Sequence, residues 1–197
     1  MKKAVLVLFA VVAMALVFSG SAFAQGDNSV YFVTYYSNNA SGAPDGTVRF
    51  INDGDTGGNL YAAIYVFDDS QELAECGACW ISPDGLLSED VKTELTANPI
   101  TGRIPTRGVI KVISSSSSNP ASTTPAPGLR GWATHIQRAT PTSGAYATTE
   151  APVADSNLAA GEESLLNSLC YYATLIGGSG LGSGQGTITC TPEDKDF

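Results

Sequence analysis

Short runs of β-branched and aromatic residues, broken by clusters of Gly, Asn, Asp, Ser and Pro, set the pattern of this chain. Ser29 to Ser37 (SVYFVTYYS) puts Val30, Phe32, Thr34 and Tyr36 on one face of a strand and Tyr31, Val33 and Tyr35 on the other. A strand apolar on both sides is either buried inside a sandwich or covered by a partner. Thr47 to Asn52 (TVRFIN) and Leu60 to Phe67 (LYAAIYVF) read as a hairpin pair around Asp53 to Asn59, a stretch dense in residues that accept positive φ. Asp68 to Leu95 holds Cys76-Gly77-Ala78-Cys79, a Pro83-Asp84-Gly85 turn and a short helix capped by Ser88, with Val91 and Leu95 inward.

Gly108 to Ser114 (GVIKVIS) and Gly131 to Arg138 (GWATHIQR) are again strand-like, the second with Trp132, Thr134 and Ile136 on one face and His135 opposite. Between them, Ser114 to Gly128 is rich in Ser, Thr and Pro and short enough to be an exposed loop joining paired strands. Thr140 to Asn157 reads as loop, with room for one edge strand around Tyr146. Leu165, Leu166 and Leu169 recur at helical spacing behind Glu162 and Glu163, which predicts a helix over 159–169. Cys170 to Ile176 (CYYATLI) returns to strand character, and Thr187 to Thr191 closes the domain after alternating glycines at 178, 180, 182, 184 and 186. About seven strands and one or two short helices, without βαβ alternation, predict a mainly β chain folded as a single β-sandwich or jelly-roll-like domain.

The first residues change the picture. Lys2 and Lys3 precede an unbroken apolar run from Ala4 to Phe18, then Ser19-Gly20-Ser21 and the Ala-x-Ala sequence Ala22-Phe23-Ala24. That order of charged, apolar and small-residue regions predicts a secretory signal peptide over 1–24, with 25–197 as the mature domain. The compartment is then extracellular or the cell surface, where disulfides form. Without the leader, eight basic residues face nineteen acidic ones, a net charge of −11 with no basic cluster. Nucleic acid is therefore disfavoured as a partner, as is an anionic membrane. No later stretch is apolar and long enough to insert into a bilayer.

Cysteines stand at 76, 79, 170 and 190. A thioredoxin-type Cys-x-x-Cys needs the start of a helix in a βαβ setting, and Pro83 opposes a continuing helix after Cys79. A zinc ribbon needs a second Cys-x-x-Cys, which is missing. Structural disulfides are expected instead. Of the three pairings available, the spacing favours Cys76 with Cys79 and Cys170 with Cys190, the latter stapling two strands across the glycine-rich run.

Other motifs point to little chemistry. His135 is the only histidine, and no Gly-x-Ser-x-Gly nucleophile motif accompanies it, so no catalytic residue is nominated. The glycine run matches no phosphate-binding pattern, so no cofactor is expected. Asp53, Asp55 and Asn59 partly echo a calcium loop, but Ile64 occupies the twelfth position, where a bidentate Glu is needed; a tight turn is the expected form and no metal site is assigned. Asn39-Ala40-Ser41 fits a glycosylation sequon.

Asn52 to Ser88, with NDGDTGGNLYAAIYVFDD and CGAC, together with Leu129 to Gln137 (LRGWATHIQ), resembles uncharacterised secreted bacterial proteins to which no activity attaches. The resemblance implies no site residue. Sparse charge, two-faced strands and missing catalytic sets favour a structural subunit of a filament, sheath or matrix over a monomeric module for carbohydrate or surface adhesion. The strand at Ser29 to Ser37 is the expected self-association element, through Val30, Tyr31, Phe32, Val33, Tyr35 and Tyr36, with a homo-oligomer or polymer as the product.

Overall fold

The computed structural model describes residues 28–37, 39–97, 104–140 and 144–176, together with Ile188 and Cys190. The expected leader over 1–24 and the alternating glycines over 178–186 lie outside the described residues. Among the described residues, nine strands run β1 (Tyr31–Tyr36), β2 (Thr47–Asn52), β3 (Leu60–Asp68), β4 (Leu73–Ile81), β5 (Leu86–Asp90), β6 (Gly108–Ser115), β7 (Leu129–Arg138), β8 (Tyr146–Pro152) and β9 (Ala154–Asp155). Helix α1 (Ala160–Ile176) follows. The strands form a five-stranded sheet in the order β4-β3-β6-β1-β9 and a four-stranded sheet in the order β5-β2-β7-β8. Every pairing is antiparallel.

The inner faces of the two sheets meet in a core that includes Phe32, Val48, Phe50, Ile64, Leu87 and Val112. Phe32 and Phe50 pack across the gap between the sheets at 5.9 Å. The Phe50 ring lies so close over β7 that a Cβ on Gly131 would overlap it, which is why that strand carries glycine there. The outer face of the larger sheet is covered by α1: Leu166 and Cys170 pack on Tyr31, Tyr65 and Ile113, with Ala173 beside them. The result is a β-sandwich with one helix laid on it. Both faces of β1 are thus accounted for within the chain. Phe32 and Tyr36 face the sandwich, and Tyr31 and Val33 face the helix layer.

Four local expectations are corrected. Cys170 to Ile176 continues α1 instead of forming a strand, because Leu166, Cys170 and Ala173 keep a helical repeat against the sheet. The segments expected as a hairpin, β2 and β3, belong to different sheets. The turn between them crosses the sandwich, and the Asn52 amide holds it by donating to the carbonyls of Gly58 and Ile81. Strands β6 and β7 likewise lie in different sheets, so the loop over 116–128 also crosses. Ser88 lies in β5, and Asp90 occupies the N-cap position of the one π-helical turn, Val91–Leu95, with Val91 and Leu95 buried as expected.

The cysteine pairing is corrected as well. The bonds are Cys76–Cys170 and Cys79–Cys190. Cys76 and Cys79 lie within β4, where a rise of about 3.3 Å per residue separates positions three apart by roughly 10 Å and sends them to opposite faces. A disulfide needs Cα atoms about 4.4–6.8 Å apart. Cys76 therefore reaches outward to α1 at 5.8 Å, and Cys79 reaches inward to Cys190 at 5.4 Å. Ile188 donates its backbone N–H to the Cys76 carbonyl, so the chain near Cys190 runs along the edge of β4.

Peptide mapping without reduction should recover Cys76 joined to Cys170 and Cys79 joined to Cys190; a Cys76–Cys79 peptide would contradict the fold. Replacing Cys76 and Cys170 together by alanine should lower the unfolding free energy in urea by about 4–5 kcal/mol, the chain-entropy value for a loop of their 94-residue separation.

Candidate functional site: an uncovered sheet edge and a polar groove

The expected site residues fall in very different places. β1 is bonded on both sides within its own sheet, to β6 along its length and to β9 at Phe32 and Val33. Of the residues expected for self-association, Tyr31, Phe32 and Tyr36 are buried and Tyr35 is half exposed. The Asp53–Asn59 loop is a tight turn. Asp53 accepts the Asp55 N–H and pairs with Arg130 at 3.2 Å, while Gly54 and Gly57 take positive φ. Asn39 is buried, and its Nδ2 donates to Thr96 Oγ1 and the Pro105 carbonyl, so the nitrogen a glycan would use is already engaged in the fold.

His135 stacks on Tyr35 with ring centres 4.2 Å apart, where β1 and β7 approach each other. Its Nδ1 is buried and makes no hydrogen bond. Burial holds its pKa below the usual value, against a backbone hydrogen bond at Tyr35 that raises it. Two carboxylic acids point into the sandwich, Glu75 from β4 and Glu89 from β5. Glu89 lies beside the Cys79–Cys190 bond: a carboxylate oxygen and the two sulfurs are within 4.8 Å of one another. That is the one cluster of metal-ligand type among the described residues, and its sulfurs are already joined to each other. Glu75 Oε1 has no hydrogen-bond partner, and burial pushes its carboxyl up to about 8.

The surface is more informative than the interior. An exposed strand edge recruits other strands unless it is short, covered, or guarded by charge. The two sheets have four edges. β4 is covered near Cys76 by the chain at Ile188 and Cys190. β9 is two residues long. β5 has five residues, points Glu89 inward and ends in the π-helical turn. Among the described residues, β8 is the edge that is neither covered nor cut short, and its one charged side chain, Glu150, is paired with Arg49. It runs seven residues in unbroken register with β7, carries no lysine and no bulge, and has its proline at the last position.

The register also fixes which groups of β8 face outward. Val153 donates to the Gly131 carbonyl and Ala139 to the Ala145 carbonyl, so hydrogen-bonded pairs fall at every second position between them. Ala147, Thr149 and Ala151 therefore bond to β7. Tyr146, Thr148 and Glu150 turn their backbone N–H and C=O groups to the free edge. Side chains from 147 to 150 are exposed on both faces, so this hairpin projects past the core. Glu150 is tethered to Arg49 at 3.0 Å, and Arg138 lies over the Tyr146 ring.

A second feature lies on the opposite sheet, where α1 meets the loop at Ala121 and Thr123. It is a groove of about 400 Å³ lined by Glu163, Ser164, Asn167, Ser168, Tyr171 and Tyr172. Asn167 Oδ1 sits 3.1 Å from both the Tyr65 and the Thr123 hydroxyls, and the Thr123 hydroxyl also reaches Glu163 Oε1 at 2.9 Å. Nothing in the sequence marks this groove, because its parts come from three separated stretches and depend on α1 continuing past Leu169.

Among the described residues, no helix is long and apolar enough to cross a membrane. No protein-family model, curated protein or solved structure matches this chain.

Glu75 makes stability depend on pH. Its folded-state pKa lies above the unfolded value of 4.5, so the folded chain keeps a proton that the unfolded chain releases. The contribution of Glu75 is therefore full below pH 4.5 and is lost as the pH rises toward about 8. Each tenfold change in proton affinity is worth about 1.4 kcal/mol. Glu75→Gln should thus match the parent near pH 4.5 and exceed it by a few kcal/mol near pH 8, in urea titrations at the two pH values. Equal stability at both would contradict the buried placement.

Proposed function

We propose that this protein is a secreted, non-catalytic β-sandwich subunit of an extracellular assembly, joined to further copies through the free edge of β8. The leader-like N-terminal sequence and the two disulfides support export to an oxidising compartment. The lone histidine, stacked on Tyr35 with its Nδ1 unbonded, supports a role without catalysis. The observation that carries the assembly reading is the contrast among the four edges: three are covered or short, while among the described residues β8 is uncovered along its length, its one charge paired with Arg49.

Two β8 strands meeting about a two-fold axis would each satisfy the outward groups of Tyr146, Thr148 and Glu150, joining two four-stranded sheets into one. Such an interface is self-complementary and closes at a dimer. A filament or sheath would be built from that dimer by further contacts.

Light scattering on the mature chain, 25–197, tests this with two proline variants. Thr148→Pro removes an outward N–H and no bond to β7, so it should abolish association while leaving the melting temperature close to the parent's. Thr149→Pro removes a ladder bond and should lower stability instead. A mature chain that stays monomeric up to its solubility limit, or association unchanged by Thr148→Pro, would overturn the proposal.

A further inference from the structure

We infer that the groove between α1 and the loop at Ala121–Thr123 binds a neutral carbohydrate, with Tyr171 and Tyr172 as its aromatic wall and Asn167 and Glu163 as its polar floor. This goes beyond the edge-strand assembly and does not depend on it, because β8 belongs to the other sheet. A sugar ring has an apolar C–H face and a rim of hydroxyls that both donate and accept. A matching site needs an exposed ring beside fixed polar groups of both kinds.

The rings are present. Tyr171 and Tyr172 are 51% and 61% exposed and lie edge to face at 5.6 Å, so each presents a different surface. The cost of exposing two adjacent aromatic side chains is offset when a ligand covers them. Neither ring is needed by the core, which α1 contacts through Leu166, Cys170 and Ala173.

The polar floor is held in place by the fold. The Tyr65 and Thr123 hydroxyls each lie 3.1 Å from the Asn167 amide, which fixes that side chain in the floor of the groove. Tyr65 is itself fixed, 2.6 Å from the Pro120 carbonyl. Glu163 accepts from Thr123 through Oε1, and its other oxygen can accept from a sugar hydroxyl. Ser164 and Ser168, both on α1, add hydroxyls that serve either way. A volume of about 400 Å³ lies within the range of small-ligand sites.

Charge selects the class. Among the described residues no lysine or arginine lines the groove, and Glu163 adds a carboxylate, so an anionic sugar or phosphate meets no counter-charge from them. The mouth is polar and lacks the continuous apolar surface that an acyl chain would need.

Calorimetric titration of the mature chain with cellohexaose and with maltohexaose is the test, repeated on Tyr171→Ala/Tyr172→Ala and on Asn167→Asp. At least one oligosaccharide should bind, the double tyrosine variant should raise its Kd tenfold or more, and Asn167→Asp should weaken it by replacing the neutral amide in the floor with a second carboxylate beside Glu163. Both variants should keep the parent's circular dichroism, since the rings are exposed and Asp has the size and shape of Asn. Failure of both oligosaccharides to bind at millimolar concentration would overturn the inference, as would binding that ignores the tyrosines. A tyrosine variant that changes sedimentation instead of sugar affinity would make the patch a protein interface and also overturn it. A failed sugar test leaves the Thr148→Pro result standing, so the two readings fail separately.

Discussion

The two-residue repeat of a β-strand sends residues three apart to opposite faces, and β4 applies that rule to Cys76 and Cys79. The outward sulfur bonds α1, and the inward one bonds the chain at Cys190. One strand at the edge of the larger sheet thereby anchors both a covering layer and its own edge. The helix laid on β1, β3 and β6 buries Tyr31, Tyr65 and Ile113, which would otherwise leave an apolar outer face in water. The segment at Ile188 and Cys190 fills hydrogen-bonding positions that a foreign strand could use.

The same bracing leaves two parts of the surface unclaimed. On the smaller sheet, the β7–β8 hairpin runs beyond the core, and its last strand turns backbone groups to solvent at every second residue. On the larger sheet, α1 presents tyrosines on the side away from its packing stripe, above an amide oriented by the sheet and the crossing loop. Both features sit on regular secondary structure, one on a strand and one on a helix. They lie on different sheets and share no residue, so the two proposals stand or fall separately.

Much of the sandwich was legible wherever a strand's own composition decides its fate. β1 read correctly as a strand apolar on both faces, β6 and β7 stood where β-branched and aromatic runs placed them, and an edge strand stands at Tyr146 in a stretch otherwise read as loop. The start of α1 was marked by Glu162 and Glu163. Misreadings came where tertiary context overrides local preference. CYYATLI has strand composition, yet packing of Cys170 and Ala173 on the sheet keeps it helical. β4 was obscure because Ala74 to Cys79 contains no β-branched residue, and missing that strand led directly to the wrong cysteine pairing. Which sheet a strand joins was not legible either, since the crossings after β2 and β6 use turn residues that would serve a hairpin equally well. The buried carboxyl of Glu75 left no signal in a chain with nineteen acidic residues.

Residue-resolved amide hydrogen exchange across a concentration series measures the state of the β8 edge directly. The inward amides of Ala147, Thr149 and Ala151 should be protected at every concentration, because they bond to β7. The outward amides of Tyr146, Thr148 and Glu150 should exchange freely in dilute protein and become protected as concentration rises, as an incoming strand takes up their hydrogen bonds. Outward amides that stay equally exposed from dilute to concentrated protein would contradict an assembly built on this edge.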